Sequence, residues 1–153
     1  MAEYRGARIY HHTGGLSGFA SHMLHLRDED LTTIVLSNLY LFPFDRVTRG
    51  LVRLAKGWPE PAPTLTPLTD EQRQACAGPW NEHAGALLAM GGGPEAFAAL
   101  NESTLVDPAD AEVEYRFSAP RDGRYQRLDY VSPLWPVSVF HALAEEAELG
   151  PVG

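Results

Sequence analysis

The sequence predicts an α+β fold: a three-strand antiparallel meander with one helix over residues 1–57, then a small, mostly-β module over 68–153. Three observations carry this. Short runs rich in β-branched and apolar residues follow one another closely in the first third. The stretch Phe44 to Lys56 places Phe44, Val47, Leu51, Leu54 and Ala55 at three- and four-residue spacing. Between the two regions, Trp58 to Pro67 holds four prolines in ten residues. Proline lacks an N–H donor and pushes the preceding residue to extended conformations, so residues 58–67 read as a linker.

In chain order, the first strand is read over Ala7 to His12, with Ile9 and Tyr10 as β-formers. The second covers Phe19 to Leu26 and the third Leu31 to Leu36. The links are the glycine-rich Gly14-Gly15-Leu16-Ser17-Gly18 and the charged Arg27-Asp28-Glu29-Asp30, both with the composition of hairpin turns. Gly57 stands just past the helix, where it stops the chain well. After the linker, Leu68 to Arg73 reads as a short helix with Thr69 as its cap. Strands are expected over Ala86–Met90, Glu112–Ser118, Arg124–Val131 and Pro136–Ala142, with a turn over Ala119 to Gly123. A helical turn is expected at Glu95–Leu100 and a final helix at Ala142–Leu149.

Composition narrows the function. The net charge is −8 and 11 of the 12 basic residues are Arg, Lys56 being the one Lys. An acidic chain without a basic run has no general attraction to nucleic acid or anionic membranes. No run approaches the roughly 18 apolar residues of a membrane helix, and residues 1–20 contain no apolar leader, so neither span nor signal peptide is expected. The single cysteine, Cys76, excludes an intrachain disulfide and reads as a small half-buried side chain.

His11, His12, His22 and His25 lie within fifteen residues, which raises a metal site. Strand alternation sends the members of each pair to opposite faces, and one from each pair converges across the hairpin. No cysteine or carboxylate stands at ligand spacing, so no metal or other cofactor is expected. Asp107, Asp110, Glu112 and Glu114 form a solvated acidic loop without EF-hand spacing. Gly15-Leu16-Ser17-Gly18-Phe19 misses the Gly-x-Ser-x-Gly elbow, because Phe19 takes the last glycine position and the context is strand to strand.

One run points to a family. Ile9-Tyr10-His11-His12-Thr13-Gly14-Gly15-Leu16-Ser17-Gly18-Phe19-Ala20-Ser21, then the strand Thr33 to Asn38 and the closing helix to Gly57, resembles the end of a β-lactamase/penicillin-binding-protein-like serine hydrolase. That group contains class C β-lactamases, D-aminopeptidases and esterases. The resemblance implies that His12-Thr13-Gly14 stands for the family's Lys-Thr-Gly strand. His12 then polarises the site or positions a substrate carboxylate, Thr13 hydrogen-bonds substrate, and the Gly15 N–H is one oxyanion donor. Cys76-Ala77-Gly78-Pro79-Trp80 is a loose version of the element opening the lipocalin-like C-terminal module of many relatives.

The chain also departs from the family. The nucleophile should be a Ser three residues before a Lys, yet Arg53 occupies that position before Lys56. No Tyr or Ser has Asn two positions on, so the second motif is missing too. The expectation is a fragment that supplies substrate-side groups, is inactive by itself, and is completed by a missing N-terminal part or self-associates through an exposed strand edge. The alternative is a non-catalytic β-module that binds a peptide, glycan or small apolar ligand.

Overall fold

The computed structural model describes residues 2–39, 42–77 and 96–142. It contains two antiparallel sheets, of four and five strands, and two short helices. Two compact units divide the chain: Met1–Pro61 with Pro133–Trp135, and Ala62–Ser132 with Pro136–Gly153. The strand expected at 86–90, the Gly78–Trp80 part of the module-opening element and the helix expected after Ala142 lie outside the described residues.

In the first unit, strands β1 (Ala2–Tyr4), β2 (Ala7–Leu16), β3 (Phe19–Leu26) and β4 (Leu31–Ser37) pair in chain order. The meander therefore has four strands rather than three. Arg5 and Gly6 both take positive φ, 52° and 81°, which is the twist-matched two-residue turn that lets Ala2–Tyr4 fold back on Ala7–Ile9. The glycine-rich link also differs from expectation. Gly14 and Gly15 stay in β2, opposite Ser21 and Ala20, and only Ser17-Gly18 turns, with Gly18 at φ 83°. Pairing across the hairpin outweighs the flexibility of two successive glycines.

Alternation gives the sheet two unlike faces. Ile9, Leu24 and Leu26 are fully buried on one, with Tyr4, Val52 and Leu134. Helix α1 (Phe44–Lys56) packs on this side against β3 and β4 and ends at Gly57, whose φ of 65° lets its N–H reach the Arg53 and Leu54 carbonyls. The helix matches its expected span, but its inward side is Thr48, Arg49, Val52 and Arg53, while Leu54 is 81% exposed. Arg53 is held there by the Tyr4 hydroxyl at 3.2 Å and Glu60 at 3.4 Å.

The second unit is an open antiparallel meander of β5 (Ala98–Asn101), β6 (Thr104–Asp107), β7 (Asp110–Arg121), β8 (Arg124–Val131) and β9 (Ser138–His141). Helix α2 (Asp70–Cys76) opens on a capping box in which Thr69 and Gln72 satisfy each other's backbone donors. Residues 98–101 form a strand, not the helical turn expected at 95–100, because they pair with β6 and Ala99 is buried. The turn expected over Ala119–Gly123 contracts to Asp122-Gly123. Pro120 stays in β7 opposite Tyr125, preceded by Ala119 at φ 54°. Phe97, Leu105, Tyr115, Phe117, Leu128 and Phe140 make the core, which accounts for most of the aromatic residues in this region.

The outer face of the first sheet carries exposed apolar side chains. Leu16, Phe19, Ile34 and Leu36 are 77%, 61%, 63% and 77% exposed, and β4 is an edge strand with no charged residue. Such an edge lacks the charges or prolines that usually discourage strand addition. The purified chain should show concentration-dependent association by light scattering, and Ile34→Lys should suppress it while changing folding stability by less than about 0.5 kcal/mol, as expected of a surface position.

Candidate functional site

The β2–β3–β4 register sets the outer face out in rows. Tyr10, His25 and Thr32 form one, His12, Met23 and Ile34 the next, and Gly14, Ser21 and Leu36 the third. Tyr10 stacks on His25 at 6.5 Å between ring centroids, and His25 Nδ1 lies 2.9 Å from the Thr32 hydroxyl. At the hairpin end, Gly14, Gly15, Leu16, Phe19, Ala20, Ser21, Leu36, Ser37 and Asn38 line a concavity of about 500 Å³. Two stretches that are separate in sequence meet there: the glycine segment with its return strand, and the Ser37-Asn38 end of β4.

The four residues singled out in sequence divide. Gly14 and Gly15 line the concavity; His12 and Thr13 do not. His12 projects on the outer face, and Thr13, one residue on, projects on the opposite face across from His22. All four share the backbone of β2. Because β1 pairs only with Ala7–Ile9, the same edge of β2 has no neighbouring strand from Tyr10 onward among the described residues. In an antiparallel pair, alternate residues turn their N–H and C=O away from the partner, so His12–Gly15 presents backbone donors at an uncovered edge.

At Gly14 a larger residue would force the Ser21 side chain to turn away. A Cβ there would lie 2.8 Å from the Ser21 hydroxyl oxygen, which donates to the Gly14 carbonyl at 3.3 Å. Lys56 is occupied elsewhere, pairing with Glu29. Arg8 is likewise bound to Asp28, through Nε at 2.9 Å, and this pairing holds the Asp28 carboxyl below its usual range.

Across the hairpin the histidines divide between the two faces, and one pair of them, His11 and His22, is in ring contact. His12 and His25 share the outer face. His11 and His22 share the inner one, with ring centroids 5.6 Å apart. His22 is fully buried, and its Nδ1 lies 3.1 Å from the Thr48 hydroxyl and 3.5 Å from Asp45. Burial pushes its pKa below the ordinary imidazole value, partly offset by Asp45. Trp135 completes the cluster, 4.4 Å from His11 between centroids, with its indole N–H donating to Asp45. Among the described residues no group of three or more His, Cys, Asp or Glu side chains is placed to hold a metal ion. Sequence reasoning missed Trp135, Asp45 and Thr48, whose positions beside His22 follow from long-range packing and leave no local pattern.

Comparison with protein-family models, with curated proteins and with solved structures returned no match. The site therefore rests on its own geometry.

Two measurements check this description. A double-mutant cycle on Gly14→Ala and Ser21→Ala should be non-additive: the Gly14 change should be more favourable by about 1 kcal/mol once the Ser21 hydroxyl is gone, that being the worth of one hydrogen bond. Burial also pushes the Cys76 thiol up to about 12, so it should react with a disulfide reagent at neutral pH only after denaturation.

Proposed function

We propose that this chain is the C-terminal part of a β-lactamase-like serine hydrolase, an enzyme class that transfers or hydrolyses acyl groups of amides, lactams or esters. In this reading, His12-Thr13-Gly14 is the Lys-Thr-Gly-like strand. His12 (polarising the site or positioning a substrate carboxylate) and Thr13 (hydrogen-bonding substrate), which project on opposite faces of β2 outside the concavity, would meet a substrate only along the uncovered edge of that strand. The Gly15 N–H is an oxyanion donor. One such donor is worth about 3 kcal/mol of barrier. The observation that carries the reading is that the glycine segment and the Ser37-Asn38 strand end line one concavity beside an uncovered backbone edge.

The missing chemistry defines the partner. The nucleophile and its lysine would come from polypeptide that lies along the uncovered edge of β2, where the Gly15 N–H is presented, while another part of it would pair with the β4 edge. The second unit would be the lipocalin-like module that follows the catalytic domain in many relatives, a reading supported by its antiparallel meander, although its five-stranded sheet is open.

The test is covalent labelling. The chain alone should form no adduct with a fluorophosphonate or a fluorescent penicillin. Mixed with the product of the reading frame upstream, it should support stoichiometric labelling of a Ser-x-x-Lys serine, and Gly15→Pro, which deletes the donor, should slow that labelling by about 10²–10³. An adduct on the isolated chain would refute its inactivity. An upstream product without Ser-x-x-Lys and Tyr-x-Asn would refute the family reading.

A further inference from the structure

The segment Pro133–Trp135 belongs to the first unit, although it stands more than seventy residues beyond the rest of that unit. Leu134 is 1% exposed in the first core. Trp135 lies over His22, with centroids 6.4 Å apart and ring planes 18° from parallel, and meets His11 edge-on. Its own exposure is 37%, whereas His22, beside which it stands, has none. His22 Nε2 is buried without a hydrogen-bond partner.

We propose that Pro133–Trp135 is an acid-released clasp, seated while His22 is neutral and unseated when a proton adds at its Nε2. A buried imidazolium would have no water around it, and the charges near it do not favour it on balance. Asp45 on α1 attracts it, and the Phe44 backbone accepts from the ring. His11 on β2 and Arg49 on α1 oppose it. The strands that flank His22 offer only Thr13 and Val35 opposite it, neither titratable. Asp45 is also shared with the indole N–H, so its charge is not devoted to the ring. The indole face itself attracts a cation, but less strongly than water does.

Lifting Trp135 lets the imidazolium hydrate. The sign follows from linkage. With the clasp seated, burial keeps the affinity of His22 for a proton low; once the clasp is released, the affinity returns to the ordinary imidazole range. The seated state is therefore fully favoured above about pH 6.5 and is lost progressively as pH falls below it. Acid release would expose the buried His22 beside the half-buried His11.

The experiment uses the full chain labelled with ¹⁵N-tryptophan, in which Trp135→Phe assigns one of the three indole N–H signals, those of Trp58, Trp80 and Trp135. Between about pH 7.5 and 5, the Trp135 indole should lose protection from hydrogen exchange, by up to tenfold for each unit that burial depresses the His22 pKa. The amides of β2 and β3 should stay protected, and the midpoint should coincide with titration of the His22 ring. In His22→Asn, the Trp135 protection should not change over this range. The proposal is overturned if Trp135 stays protected to pH 5 in the wild type. It is equally overturned if protection is lost only together with the β2 and β3 amides, or if His22→Asn keeps the transition. Should His22→Asn not fold, the wild-type coincidence of ring titration and indole release decides alone.

Discussion

The alternation of side chains across β2, β3 and β4 is the constraint on which the first unit depends. Each residue on a pleated strand has its neighbour on the opposite face, so one register choice assigns every side chain at once. With Ile9 opposite Leu26, the inner face gains Leu24, Leu26 and the closing helix. The same choice sends Met23, Ile34 and Leu36 outward. A shift of one residue would bury His12, Met23 and His25 and expose Ile9 and Leu24. The fold therefore gains a core at the cost of an open apolar face, and the concavity lies at the hairpin end of that face.

The alternation also separates the histidines into two kinds of group. His12 and His25 sit among exposed side chains, where an imidazole is hydrated. His11 and His22 sit on the packed side, where the buried His22 has the Trp135 indole and the Thr48 hydroxyl beside it. Two residues adjacent in sequence, His11 and His12, thus have different chemistry for a purely geometric reason. The concavity carries no charged side chain, and its polar groups are Ser21, Ser37 and Asn38 with the backbone of the glycine segment. Any electrophile polarised there would depend on backbone donors more than on side-chain charge.

Much of the architecture was legible in the sequence. Leu31 to Leu36 lies within β4, Arg124 to Val131 is β8, and Phe44 to Lys56 with Gly57 is α1 and its cap. These elements combine composition, length and stop signals that agree. Legibility failed where local preference and pairing disagree. Gly14 and Gly15 favour a turn by composition but are held in β2 by Ser21 and Ala20, and Ala98–Asn101 is drawn into a sheet by β6. The helix face failed for another reason: Leu51 and Leu54 look like a core stripe, but Arg49 and Arg53 bury long side chains beneath the helix. The buried Arg53 finds the Tyr4 hydroxyl and Glu60, partners that no periodicity announces.

By itself the sequence determined the local grammar: which runs are strands, where Gly57 and Asp122-Gly123 redirect the chain, and that one lysine and one cysteine limit the available chemistry. These are properties of single residues and their nearest neighbours. Only the tertiary structure decided which faces are covered and what stands beside His22. Trp135 reaches it from 113 residues away in the chain, and Asp45 from 23. Contacts over such separations arise from the closure of a core, and local sequence preferences do not encode closure.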